Sequence, residues 1–411
     1  MPKISGIKAK RILDSTGNWT IETTVFAGDG VYGIASVPSG ESAGKYEAKK
    51  VPTDKAVELV NGSLNEALVG QEVSDQLGID NCLITLDGTA DKSKLGANTV
   101  LSVSEAVAEA GARSRKLPLF RFLAEAFNID GPFSIPTPLF NILEGGCHAN
   151  NELDFQEFLF IPSRTLPFSR QLEIGISFSH QTKMLALKEG KRTGVGDEGG
   201  LSVHGLHNEE ALLLMNEVAK SLSLDAGKDV FFGIDAAAGQ FYREGQYFLK
   251  ENTQGISPDL LRKTYDKLLQ TYQLSYLEDS FGEDDTGSWA KLVINHGEKT
   301  EVTGDDLTTS NLLRMEAAAR DKLITAIIIK PNQVGTVSEA VKTALRAKEL
   351  GLTVVASHRG AETNSSFIAD LAVAIGAQYA KLGGLSRGER IAKFNRMLEI
   401  EQEIGELGIR N

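Results

Sequence analysis

Phe231-Phe232-Gly233-Ile234-Asp235, Leu274-Ser275-Tyr276-Leu277-Glu278, Glu301-Val302-Thr303-Gly304-Asp305, Ala326-Ile327-Ile328-Ile329-Lys330 and Leu352-Thr353-Val354-Val355-Ala356-Ser357-His358 decide the fold. Each is a short, largely apolar run that stops at one ionisable residue. Charges buried at strand ends are costly without partners, so three carboxylates, a lysine and a histidine in this order imply that they meet. The terminal residues lie 43, 27, 25 and 28 positions apart. A strand-plus-helix unit of a (β/α)8 barrel takes roughly 31 residues, so each interval holds one unit, the first with an insertion. The carboxyl ends of the strands converge on one mouth in that fold, and the five side chains are expected around one site there.

Working outward, residues 1 to about 50 read as short strands, separated by the turn-rich segments Asp14-Ser15-Thr16-Gly17-Asn18 and Ala27-Gly28-Asp29-Gly30. Gly, Ser and Pro crowd the stretch Val37 to Lys45 too densely for regular structure, which reads as a mobile loop. Helical periodicity covers 53–70 and 97–127, with Ala97 to Arg115 dense in Ala, Ser and Val. Gly131-Pro132-Phe133-Ser134-Ile135-Pro136-Thr137-Pro138 is the joint. Beyond Ile135 strands and helices alternate, with amphipathic helices expected at 208–224, 258–272, 311–321, 336–350 and 387–404. The expected class is α/β: an N-terminal α+β capping domain over 1–128 and a (β/α)8-type barrel carrying the site over 129–411.

Bulk properties narrow the partners. A net charge of −12 argues against a nucleic-acid or anionic-membrane surface, although bound metal ions can reverse the local sign for an anionic substrate. Cys82 and Cys147 lie far apart, so neither a disulfide framework nor a zinc-type cluster is expected. Met1-Pro2-Lys3-Ile4-Ser5 runs straight into strand-like sequence without a signal peptide, and no apolar stretch spans a bilayer. A cytoplasmic protein is expected.

Asp235, Glu278 and Asp305 offer only hard oxygen ligands, which selects Mg²⁺ or Mn²⁺ over zinc. One aspartate after a strand is commonly a cap or an exposed residue; three at successive strand ends favour a metal. Lys330 follows four apolar residues. A dry wall and nearby cations would lower its pKa and make it a neutral general base; the plainer reading is a lysine paired with a barrel carboxylate for stability. His358-Arg359 suits an anionic group, and Lys381 ends the next candidate strand 23 residues later. Glu157 sits between apolar flanks, and Glu198 lies in the glycine-rich Gly194-Val195-Gly196-Asp197-Glu198-Gly199-Gly200. A carboxyl pair with one member neutral and one ionised can protonate a departing hydroxide, whereas either glutamate alone reads as structural.

With these residues in view, the chain resembles the enolase family from Asp14 to the final helix. The resemblance is carried by Gly194 to Gly200, Leu277-Glu278-Asp279, Gly304-Asp305-Asp306-Leu307, Lys330-Pro331-Asn332-Gln333-Val334-Gly335-Thr336 and Ser357-His358-Arg359. Leu86 to Asn98 and Phe140 to His148 match family segments in the same order. It implies a capping domain, a barrel of irregular strand order, a homodimer or an octamer of dimers, and reversible dehydration of 2-phosphoglycerate to phosphoenolpyruvate. Two Mg²⁺ ions per site are implied, the first on Asp235, Glu278 and Asp305, the second arriving with substrate at Ser42. By the same resemblance Lys330 removes the C2 proton, and Glu198 with Glu157 assists loss of the C3 hydroxyl. Lys381 contacts the substrate carboxylate and Arg359 its phosphate. His148 and His358 help close and position the site, His358 among the catalytic residues, while His148 and Gln156 are substrate-binding.

The departures cluster at the site. Thr16 replaces an arginine, Glu41 a small residue, Tyr46 a histidine and Glu144 an asparagine; Gly360 replaces the serine that contacts phosphate, and the tail ends early, at Asn411. Two carboxylates are gained while a hydroxyl donor and two potential cations are lost. Glu41 facing a phosphate would repel it. These changes bear on substrate identity more than on reaction type. They keep open a paralogue acting on a related phosphorylated or phosphonylated hydroxy acid, and a non-catalytic enolase-like binding protein.

Overall fold

The computed structural model describes residues 2–40 and 44–406. Strand β1 (Ile4–Leu13) pairs antiparallel with β2 (Trp19–Ala27), and β2 with β3 (Tyr32–Ser36). The first turn is held by Asp14, whose Oδ1 accepts the backbone N–H groups of Thr16 and Asn18, both at 3.0 Å. Alternation buries Ile7, Ile21, Val25 and Ala35 on the face toward the helices. Those are α1 (Thr53–Leu59), α2 (Asn65–Leu68), α3 (Gln76–Asp87), α4 (Ala97–Arg115) and α5 (Leu119–Ala126). Gly33 allows β3 to approach α4: a Cβ there would lie 2.2 Å from the Ala106 carbonyl oxygen. The helix expected over 97–127 is broken at Pro118, which offers no N–H to continue the ladder. The one expected over 53–70 is interrupted by a π turn at Val60–Leu64.

The rest of the chain runs β4 (Thr137–Glu144), β5 (Glu157–Pro162), α6 (Phe168–Lys188), β6 (Thr193–Val195), β7 (Leu201–Val203), α7 (Asn208–Ser221) and β8 (Val230–Asp235). Three short strands follow, β9 (Tyr242–Arg243), β10 (Gln246–Leu249) and β11 (Asn252–Ile256), and are the insertion in the long first interval. The regular units are α8 (Pro258–Tyr272), β12 (Leu274–Glu278), α9 (Thr286–His296), β13 (Glu301–Gly304), α10 (Leu312–Arg320), β14 (Ala326–Ile329) and α11 (Val337–Glu349). β15 (Thr353–Ser357), α12 (Phe367–Ala374), β16 (Tyr379–Lys381) and α13 (Gly388–Glu406) complete it. Among the described residues eight strands close the ring in the order β4-β5-β8-β12-β13-β14-β15-β16, with β16 pairing back to β4.

Simple βα alternation from Ile135 is corrected at its start. β5 returns antiparallel to β4, and β8 is antiparallel to β5. The connection between β4 and β5 contains no helix, and a parallel crossover normally needs one. The ring strands are near-continuous apolar runs because both faces are covered. Ile328 joins Leu139, Leu159, Tyr276, Val355 and Tyr379 inside the barrel, while Ile327 and Ile329 face the helices.

The amino-terminal layer docks at the mouth through the start of α11. Asp80 Oδ2 accepts the Ser338 N–H at 2.9 Å, Ser104 Oγ accepts that of Val337 at 3.0 Å, and Lys92 Nζ lies 2.8 Å from Glu339. A helix after a barrel strand begins at the mouth, so these contacts hold the cap beside the site.

Candidate active site at the barrel mouth

Asp235 and Glu278 are the last residues of β8 and β12 and stand in register, and Lys381 ends β16. Asp305, Lys330 and His358 each lie one residue past β13, β14 and β15. Glu157 opens β5; because that strand is antiparallel, its first residue comes to the same mouth, in register with Asp235 and Glu144. Glu198 is carried on the loop between β6 and β7.

Ammonium groups stand among these carboxylates. Lys381 Nζ is 2.8 Å from both Glu278 oxygens, 3.0 Å from Asp235 Oδ2 and 2.5 Å from Glu157 Oε2. The Glu157 contact is an ion pair without hydrogen-bond geometry. Lys330 Nζ bonds Asp305 Oδ2, whose partner oxygen accepts Gln333 Nε2 at 3.0 Å. Gln156 Nε2 donates to Asp235 Oδ2 at 3.3 Å. Ligand atoms mutually within 4.8 Å form the groups Asp279–Asp305–Asp306 and Glu157–Glu198–His358, while Asp235 and Glu278 are drawn onto Lys381.

The expectation that Lys330 has a lowered pKa is corrected. Burial does push it down, but the Asp305 and Glu278 carboxylates outweigh burial and the repulsion of Arg359 and Lys381, and hold the amine above its ordinary value. The amine therefore exists here as the counter-ion of Asp305.

The donor set fits a hard cation. Burial, then Asp235, pushes the Glu278 carboxyl up to about 8, with Lys381 pulling the other way. Burial and neighbouring acids raise Asp279 well above the usual range, and burial with Asp305 lifts Asp306 to about 7. More buried carboxylates converge here than the two lysines neutralise, and every ligand atom is a hard oxygen. Asp279 also orders the group, accepting the backbone N–H groups of Asp305 and Asp306, both at 2.9 Å. Ala237, Asp279, Thr309 and Ser310, beside the three acids, all take positive φ. For the β-branched Thr309 that is an outlier conformation, held against strain. Ser42, named for the second ion, and Glu41 lie outside the described residues.

The other group is organised by histidines. His358 Nδ1 is 2.6 Å from Arg390 Nη1; a guanidinium only donates, so Nδ1 accepts and the hydrogen sits on Nε2. That nitrogen points at Glu198 Oε2, 3.5 Å away, and has no lone pair left for a metal. Burial pushes His358 down to about 4, leaving it neutral. Glu198 is held well below the carboxylate range; burial opposes this, while His358, His148 and Arg390 favour it. A neutral His358 contributes a hydrogen bond rather than a full charge, and His148 and the fixed charge of Arg390 act in the same direction. Burial raises Glu157 far above its ordinary value despite Lys381. One neutral and one ionised carboxyl therefore face each other, as the paired reading requires.

Arg359 is buried, donating to Glu47 at 2.9 and 3.2 Å and to Asn332 Oδ1 at 3.0 Å. Gly360 places only backbone at the pocket, and its carbonyl accepts from Arg390. Tyr46 is turned outward, its ring 3.4 Å from the Arg314 guanidinium carbon. Thr16 is exposed and bonds Asp14. Glu47, Asp279, Asp306, Gln333 and Arg390 carried no role in the sequence reading. The doubled acids Glu278-Asp279 and Asp305-Asp306 were the visible signal for two of them.

A closed barrel with an amino-terminal cap has at its mouth carboxylates that could hold a metal ion, two lysines and an acid pair, the arrangement of a barrel-type active site. The chain matches the enolase C-terminal TIM barrel domain over residues 132–410 and the enolase N-terminal domain over 4–123, and it belongs to the enolase family. Its function class is that of the enolase-type hydro-lyases. Among the described residues no helix is long and apolar enough to cross a membrane.

Proposed function

We propose that the chain catalyses the Mg²⁺-dependent, reversible dehydration of 2-phosphoglycerate to phosphoenolpyruvate. The observation that carries this reading is one pocket lined together by Lys330, Glu198, Asp235, Asp305 and Arg359. Asp235, Glu278 and Asp305 would hold one ion, and Ser42 would join a second. Bound Mg²⁺ supplies positive charge where the substrate carboxylate gains its second negative charge, which lowers the barrier to proton removal. Lys330, once freed from Asp305 and after losing its own proton to solvent as neighbouring cations repel the ammonium, takes the C2 proton. Glu157 and Glu198 share one proton, which Glu198 presents to the leaving C3 hydroxyl. Lys381 and Arg359 are the cations for carboxylate and phosphate, and His148, His358 and Gln156 position the acid and the first aspartate. The pocket holds about 30 Å³, far below a usual ligand site, so substrate entry would draw Glu47, which lines it, away from Arg359.

A second reading has its own observation: Gly360 offers no hydroxyl where the family's phosphate contact stands, which suits a related phosphorylated or phosphonylated hydroxy acid. The test follows ultraviolet absorbance of the conjugated enol product with Mg²⁺, using Lys330→Ala as control. Turnover of 2-phosphoglycerate abolished by the substitution supports the first reading. Exchange of an α-proton on another acid, without turnover of 2-phosphoglycerate, moves the assignment to the second. Silence on every acid by folded protein overturns both in favour of a binding role.

A further inference from the structure

Glu144 ends β4 fully buried, yet its carboxyl addresses a loop instead of a cation. Oε1 accepts the backbone N–H of Glu198 and Oε2 that of Gly200, each at 2.7 Å. The loop is shaped around it. A Cβ on Gly196 would lie 2.4 Å from Glu144 Cδ, and one on Gly200 would lie 2.9 Å from Oε2. An asparagine, as in the family this chain resembles, is one methylene shorter and uncharged. We propose that Glu144 is a positioning residue: its carboxyl fixes the backbone that presents Glu198, and its charge sets how readily Glu198 takes up a proton. This rests on the reading of Glu198 as the group that offers a proton to the pocket.

The charged surroundings are Glu198 and Asp197 on the loop, His148 after β4, Glu157 across on β5, Arg387 just before α13 and Arg390 within it. The two arginines bond the carbonyls of Gly196 and Asp197 at 3.2 and 3.1 Å. Burial, then Glu198, pushes Glu144 up to about 8, while His148 and the two backbone N–H groups oppose the rise. Both forms find partners. Asn141 Nδ2 sits 3.4 Å from Oε2, while its own Oδ1 is buried with no hydrogen-bond partner. Turned over, that amide would accept the hydroxyl of a protonated Glu144. An ionised Glu144 favours a protonated Glu198 through like-charge repulsion.

The experiment labels glycine with ¹³C′ and ¹⁵N, so that only amides preceded by glycine survive a carbonyl filter: Gly146, Gly200 and Gly384. The Gly200 signal is expected to titrate with a midpoint near 8 and to lose that step in Glu144→Gln, which mimics the neutral acid. In steady-state kinetics Glu144→Gln should move the alkaline limb of kcat to lower pH. Glu144→Asn, too short to reach both amides, should cut kcat about tenfold or more with KM within about twofold. A Gly200 step that persists in Glu144→Gln, or a loss in Glu144→Asn confined to KM, overturns the role of Glu144. Wild-type protein that turns over no acid removes the reading of Glu198 instead, a separate failure.

Discussion

Lys381→Met should destabilise the metal-free protein more than any other single change at the mouth. One ammonium serves Glu278, Asp235 and Glu157, with contacts between 2.5 and 3.0 Å, and all four groups are buried. Removing one partner of a buried ion pair costs about 3–5 kcal/mol, and three orphaned acids place this case near about 4. Unfolding entropy near 2.1 cal/mol/K per residue gives a chain of this size about 0.9 kcal/mol/K, so Tm should fall by about 4–5 °C. The acids can escape by protonation, since Glu278 already stands at about 8 with the lysine present. The loss should therefore be larger at pH 8.5 than at pH 6. Mg²⁺ at about one hundred times its Kd returns about 2.7 kcal/mol if it occupies the same carboxylates. Scanning calorimetry in EDTA and in Mg²⁺, at both pH values, measures all of this. Equal Tm for wild type and variant in EDTA, or a Mg²⁺ shift no larger in the variant than in wild type, refutes the counter-ion reasoning.

Two further outcomes are expected. Arg359→Lys keeps the charge but loses the planar fork seen on Glu47 and Asn332, so KM for the phosphorylated acid should rise about 10–100-fold with a smaller fall in kcat; a change under twofold would remove Arg359 from anion binding. Asp80, buried where α3 meets the start of α11, is raised by burial from 3.8 to about 6, opposed by its hydrogen bonds from Ser104, Ser338 and Gln76. Its folded pKa lies above the unfolded one, so its stabilising contribution is complete below the unfolded value and is lost as pH rises through about 6. At 1.36 kcal/mol per unit this is about 3 kcal/mol, and urea unfolding of wild type against Asp80→Asn should show the difference moving against wild type between pH 4 and pH 7; a flat difference contradicts it.

The barrel was legible because charged residues interrupt apolar runs at intervals that only a repeated βα unit explains. Ala326 to Ile329 and Leu274 to Leu277 fall in strands as expected, and Asn208, Pro258 and Val337 begin helices within a residue of the expected starts. The antiparallel β5 was not legible, since Glu157 to Pro162 has the composition of any buried strand and its direction is set by a connection without a helix. Helices α6 and α9 escaped because Phe168–Lys188 and Thr286–His296 mix polar residues into their buried stripes. At the site, residue types and strand-end placement were readable, whereas partners were not. Nothing local to Lys330 tells that Asp305 claims its amine, or to Arg359 that Glu47 does, 312 residues away. Glu144 was visible only as a departure; its grip on the Glu198 loop is a tertiary fact.

Proton exchange at C2 tests the central claim most directly. Wild-type protein in D2O with Mg²⁺ should wash the C2 proton of 2-phosphoglycerate into solvent, read by the loss of its ¹H resonance, and Lys330→Ala should leave that resonance intact while still binding Mg²⁺. Exchange that survives in Lys330→Ala, or elimination by wild type without exchange, would contradict the assignment of Lys330 as the base.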